Sequence, residues 1–260
     1  MNVAGLRTSC AWIALLVVSA SGIASGCSPA PRAVETRDAA HPTEPAFPIV
    51  ARFECGGFAL PATFYRDRVV LSRPQGELSL PQVISASGAR YSDGRTTFWN
   101  KGTEATLESD DGRTTMCEVW TAAGARVGPI RIDMSRQEAE AALTAPLAGE
   151  RSSKGCVIVR PSRGPDEVQV MLIDDRVARV DVTQRGVATD AGIRVGDPEA
   201  RVREAYAGRV TQSPHKYTPG HYLTVDDRSE RHVVFETDGE RVTRYRVGRI
   251  PEVDWVEGCG

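Results

Sequence analysis

Between Pro48 and Glu118 no apolar pattern keeps a helical period, and this constrains the fold more than any other feature of the chain. Short β-branched and aromatic runs stand there instead: 49–55, 62–65, 68–71, 78–80, 97–99, 105–108 and 114–118. Gly56-Gly57, Asp67, Pro74-Gln75-Gly76 and Asp110-Asp111-Gly112 separate them, the last as a hairpin turn. Strands this short, with turns every 8–12 residues or so, predict a small antiparallel barrel or sandwich.

Residues 126–260 read differently, as a weak internal repeat. Ile130-Arg131-Ile132 leads into a helical run at Ser135–Leu143, and Ile193-Arg194-Val195 into another at Pro198–Tyr206. Ser135 and Asp197 are the expected N-caps, with Glu138 and Pro198 in favourable first-turn positions. Each helix is followed by a hairpin: 170–173 with 177–182 around Asp174-Asp175, and 233–236 with 242–247 around Asp238-Gly239. This predicts two helices against one face of an antiparallel sheet.

Ahead of both regions, residues 1–26 have the form of an export signal: one positive charge at Arg7, then an apolar run too short for the roughly 20 residues a membrane span needs. Ala24-Ser25-Gly26-Cys27 resembles the bacterial lipobox, which implies cleavage before Cys27 and its acylation. Ser28 after it implies the outer membrane, with the protein facing the periplasm. Residues 27–45, rich in Pro, Ala and charge, read as a lipidated tether.

Export exposes thiols to an oxidising compartment. Of the six cysteines, Cys10 leaves with the signal and Cys27 carries lipid. The remaining four allow three pairings. Domain order favours Cys55–Cys117 and Cys156–Cys259, one bridge per domain.

The most specific stretch runs from Ser85 to Ala105. Ser85 to Gly88 is small and polar, a thin protruding loop. Phe98 and Trp99 are neighbours on one strand and point to opposite faces, one to the core and one outward. Lys101 follows at a turn. The pattern Ser87-Gly88-x-x-Tyr91-x-x-Gly94-x-x-x-Phe98-Trp99-x-Lys101-Gly102-x-x-Ala105 resembles the MliC/PliC family of inhibitors of c-type lysozyme at every defined position. Cys55 and Cys117 stand where that family has its bridging cysteines, and a lipoprotein leader suits its membrane-bound branch.

The resemblance spans residues 46–121 and implies an eight-stranded antiparallel β-barrel. It implies that Ser87, within the loop that includes Gly88, and Lys101 enter the lysozyme cleft and engage its two catalytic carboxylates. Arg90, Tyr91 and Trp99 are candidates for the surrounding rim, with Tyr91 equally placed for the core. The expected whole is a mainly β chain of two domains: this barrel at 46–121, then at 126–260 an α+β domain built from the two-fold helix-plus-hairpin repeat.

The expected activity is stoichiometric inhibition of c-type lysozyme, not enzymatic turnover. The alternative is an envelope protein-binding or assembly module whose main role resides in 126–260. A formal net charge of −2 gives no argument for nucleic acid. No nucleophile elbow, phosphate loop or dinucleotide loop is present. His215 and His221 have no carboxylate or cysteine at ligand spacing, so neither a metal nor a cofactor is expected. Glu138, Glu140, Arg201 and Arg203 are expected on solvated helix faces.

Overall fold

The computed structural model describes residues 47–149, 155–226 and 231–260. The signal at 1–26, the tether and Cys27 lie outside the described residues.

Eight strands close into a barrel in sequence order: β1 (Ile49–Cys55), β2 (Phe58–Phe64), β3 (Arg68–Arg73), β4 (Gly76–Val83), β5 (Ala89–Ser92), β6 (Thr97–Lys101), β7 (Glu104–Glu108) and β8 (Thr114–Val119). Alternation along the strands sends one residue in two inward. Phe53, Leu60, Ala62, Val69, Leu71, Leu80, Phe98 and Leu107 fill the interior. The Phe53 and Phe98 rings meet edge to face at 5.2 Å, the geometry that the ring quadrupole favours. Cys55 and Cys117 face each other in the closing β1–β8 pair and are joined by a disulfide.

After β8 the chain passes through Trp120 into a second core. The elements that follow are β9 (Thr121–Ala123), β10 (Arg126–Val127), β11 (Ile130–Arg131), α1 (Arg136–Leu143), β12 (Leu147–Ala148), β13 (Cys156–Pro161), β14 (Val168–Ile173), β15 (Arg176–Val182) and β16 (Ala188–Thr189). They continue with α2 (Glu199–Ala205), β17 (Val210–Pro214), β18 (His221–Asp226), β19 (Arg231–Thr237), β20 (Val242–Arg249) and a single 3-10 turn at Glu252–Asp254. A large sheet runs β12-β13-β14-β15-β20-β19-β18-β17, and a small one β11-β10-β9-β16.

The two predicted hairpins are β14–β15 and β19–β20, and their inner strands meet through Val180↔Val247. Each half also has an outer pair of strands that the repeat pattern did not announce. β12 has only two residues, and β17 is almost wholly exposed, so neither leaves an apolar alternation to read. Both helices pack into one core: Ala139 and Leu143 of α1 and Val202 of α2 join Val170, Leu172, Phe235, Tyr245 and Val247.

The α1 capping box forms as read: the Glu138 amide donates to Ser135 Oγ (3.2 Å), and the Ser135 amide to Glu138 Oε2 (2.7 Å). At α2 the expectation needs correction. Pro198 holds the N-cap position without a side-chain bond. The Asp197 carboxylate turns back, accepting from the Arg194 amide (3.0 Å) and from Arg201 Nη1 (2.8 Å). Three arginines (185, 194 and 201) surround that carboxylate, and they outcompete the weak dipole of a two-turn helix for it.

The other face of the large sheet buries charge. Arg179, Asp181, Glu236 and Arg246 lie there, covered by the segment from Ile250 to Gly260. Arg179 Nη1 donates to the Trp255 carbonyl (2.6 Å) and Arg246 Nε to that of Val253 (2.5 Å), while Cys259 is disulfide-bonded to Cys156.

Barrel and second core fall within one compact unit. The Trp120 amide donates to the Arg52 carbonyl (2.6 Å), and Arg52 Nε to the buried Glu167 carboxylate (3.1 Å). Among the described residues no helix is long and apolar enough to cross a membrane.

Candidate functional site

The β5–β6 hairpin sets the geometry. Its tip is fixed by Asp93, whose Oδ1 accepts from the amides of Arg95 (2.9 Å) and Thr96 (2.7 Å). Those two hydrogen bonds hold the Asp93 carboxyl below its usual range. At the open end, Ala89 pairs with Asn100 and Arg90 with Trp99. This register sets the loop entering β5, residues 84–88, beside the turn leaving β6 at Lys101-Gly102.

One side-chain contact joins the two segments, and one more orders each of them. Trp99 Nε1 donates to the Ser87 carbonyl (2.9 Å). The Lys101 ammonium lies 3.7 Å from the Trp99 ring centroid. Ser85 Oγ donates to the Gly88 carbonyl (2.9 Å). Gly88 has a φ of +65°, and a Cβ there would stand 2.3 Å from the Asn100 carbonyl oxygen and 2.7 Å from Lys101 Cγ. Only glycine permits that approach.

Ser87 and Lys101 are both exposed and sit on the same corner of the barrel. Trp99 is half-buried on the outer face, while Phe98 beside it is fully buried. Arg90 is exposed, and as the cross-strand partner of Trp99 it shares that outer face. Tyr91 is in the core: it is 5% exposed, its ring lies 5.8 Å from that of Phe64, and burial raises its pKa. Of the two places its sequence left open, it takes the interior, because β5 alternates Arg90 out and Tyr91 in.

Sequence reasoning placed Trp99 at the rim but missed its part as the brace between Ser87 and Lys101. The cross-strand register of β5 and β6 is the signal that pairs them. Among the described residues no carboxylate forms an ion pair with Lys101. The corner therefore offers one ammonium, one hydroxyl and one exposed guanidinium, held by backbone and ring contacts and directed at solvent.

The histidines of the second region have carboxylate partners that spacing did not reveal. His221 Nδ1 lies 2.8 Å from Glu199 Oε1, and His215 Nε2 3.6 Å from Glu236 Oε2. Thr237 Oγ1 donates to the same Glu199 oxygen, so its hydroxyl is engaged by the acid and not by the imidazole. That order is the wrong one for a nucleophile relay, in which the imidazole must take the hydroxyl proton. Arg203, expected on a solvated face, pairs with Glu199 (2.8 Å). Among the described residues no group of three or more His, Cys, Asp or Glu is placed to hold a metal.

Residues 53–116 match the family described as membrane-bound lysozyme-inhibitor of c-type lysozyme, so the resemblance read from the motif is found in the segment that carries it. A membrane-bound lysozyme inhibitor of C-type lysozyme from Yersinia enterocolitica is 44% identical over 61 residues, 23% of this chain and 52% of that protein. Its counterpart from Escherichia coli is 48% identical over 52 residues, 16% of this chain and 48% of that protein. The chain thus spans about half the length of the curated relatives it matches. Among solved structures, Pseudomonas aeruginosa MliC in complex with hen egg white lysozyme is 27% identical, with a TM-score of 0.22, covering 30% of this chain and 92% of that one. The uncharacterized protein yfeY from Escherichia coli is 14% identical, with a TM-score of 0.35, covering 50% of this chain and 99% of that one.

Proposed function

We propose that this protein is a stoichiometric inhibitor of c-type lysozyme, and that the Lys101 ammonium and the Ser87 hydroxyl enter the enzyme's cleft and engage its two catalytic carboxylates. The observation that carries this reading is the shared exposed corner: Trp99 donates to the Ser87 carbonyl at 2.9 Å and lies under the Lys101 ammonium at 3.7 Å.

Retaining glycosidases hold their two carboxyl groups about 5–5.5 Å apart, one protonated and one ionised. A single ammonium neutralises the ionised member, and a hydroxyl both donates to a carboxylate and accepts from an acid. An exposed cation–π contact is worth about 0.5–1 kcal/mol. A hydrogen bond to a charged group is worth about 1.5–3 kcal/mol. Lys101 therefore gains by turning from Trp99 to a carboxylate in a dry cleft, and the ring serves to pre-position it.

In this reading residues 46–121 are the inhibitory domain, residues 126–260 are a second domain, and no reaction is catalysed. The lipid on Cys27 anchors the chain at the outer membrane facing the periplasm, and the tether at 27–45 gives the barrel on the order of 55–60 Å of reach. Titrating a c-type lysozyme with the purified full-length chain tests the proposal. Activity on peptidoglycan is expected to fall linearly to an end point at one inhibitor per enzyme. Full lysozyme activity at a large molar excess would reject it.

A further inference from the structure

Ile84 is the most exposed large apolar residue among those described, with 99% of its surface open to solvent. It sits in the loop that carries Ser87, at most about 11 Å away along the chain. Its neighbours are not loose. The Gln82 amide donates to the Asp67 carbonyl (2.8 Å) just before it. Ser85 binds the Gly88 carbonyl, and Trp99 holds that of Ser87. Ile84, Ser85 and Gly88 border one open depression with Asp67, Gln82 and Val83. An isoleucine there adds nothing to the barrel core, and the residues on either side of it are held by those hydrogen bonds.

We infer that Ile84 is an apolar anchor of the inhibitory surface, seating beside the catalytic acid of the enzyme and shielding the Lys101–carboxylate pair from water. The inference rests on the function proposed above and adds a residue to its site. The chemistry of the partner supports it. The catalytic acid of c-type lysozyme lies in an apolar pocket against a tryptophan, which keeps it protonated. A surface that engages that acid meets an apolar wall as well as a charge. Lys101 and Ser87 satisfy the polar groups and leave the wall bare, whereas Ile84 covers it. Apolar neighbours that exclude water are what make a central charged contact strong, and an ion pair closed off from solvent is screened little by salt.

The test compares the full chain with Ile84→Ser and Ile84→Leu, each titrated against a c-type lysozyme at low and high salt. Neither variant is expected to change the melting temperature, since Ile84 packs against nothing. Ile84→Ser is expected to weaken inhibition about tenfold or more at low salt, and by a larger factor at high salt. Ile84→Leu is expected to stay within about threefold of the parent. If Ile84→Ser inhibits as the parent does at both salts, or loses the same factor at both, the inference is overturned while the proposed function stands. If the parent itself does not inhibit, the function falls and the inference with it.

Discussion

Barrel and large sheet each have eight antiparallel strands and a disulfide, yet they treat charge in opposite ways. The barrel closes on itself and has a single interior, filled by aliphatic and aromatic side chains. Its only buried polar residues are Thr96 and Thr97. The open sheet has two faces. One receives α1 and α2 and is apolar; the other buries Arg179, Asp181, Glu236 and Arg246 under the segment from Ile250 to Gly260. The barrel's charged side chains lie outside its apolar interior, where some pair with neighbours, as Arg52 does with Glu167 and Arg68 with Asp67, while Lys101 has no carboxylate partner among the described residues. An open sheet uses its charges to hold its own chain. Lys101 and Ser87 belong to the first kind, and Glu236 to the second.

Removing one charge from each region breaks or sharpens this contrast. The largest effect is expected at Glu236, which pairs with Arg244 (2.7 Å) and with the buried Arg246. Glu236→Ala strands the Arg246 guanidinium and is expected to cost about 3–5 kcal/mol in urea unfolding. If the loss were below about 1 kcal/mol, the buried network would not be what holds the C-terminal segment.

A smaller effect is expected from acid. Burial raises the Glu236 pKa, but the Arg244 hydrogen bond and the charges of Arg246 and Arg244 outweigh it, and the carboxyl ends below its ordinary 4.5. Asp133 is lowered against burial by hydrogen bonds from Arg231 and Arg249, and Glu199 by hydrogen bonds from Thr237, His221 and Arg203. A folded-state pKa below the unfolded one gives stability that is present above the unfolded value and is lost as pH falls through the folded one. In the barrel, burial raises Glu54, which has the opposite sign, and the lowered carboxyls of Asp93 and Asp111 sit exposed at hairpin tips, where solvent screens them. Amide exchange followed downward from pH 5 is therefore expected to open the large sheet before the barrel. Barrel amides losing protection first would contradict the contrast.

The smallest stability effect is expected at the barrel corner. Lys101→Ala removes an exposed side chain and its contact with Trp99 and is expected to shift stability by no more than about 1 kcal/mol.

The legible part of the molecule was what neighbouring residues determine. Alternation and turns gave the barrel strands, the Ser135/Glu138 spacing gave a capping box, and the motif from Ser87 to Ala105 gave the corner. The illegible part was long-range. Glu199 meets His221 and Thr237 only because α2 lies beside β18 and β19, and no spacing records that. Asp197 has the sequence of an N-cap, but arginines from separate positions claim its carboxylate. Alternation set Phe98 and Trp99 on opposite faces and the family resemblance put Trp99 at the rim, whereas its bond to Ser87 needed the register of β5 on β6.

The central claim is tested most directly by the inhibition constant of the Ser87→Ala/Lys101→Ala double variant against a c-type lysozyme, measured beside the parent chain with both shown to melt alike. Two charge-assisted contacts at about 1.5–3 kcal/mol each predict a loss of at least about a hundredfold. A double variant that folds as the parent does and inhibits equally well would contradict the account.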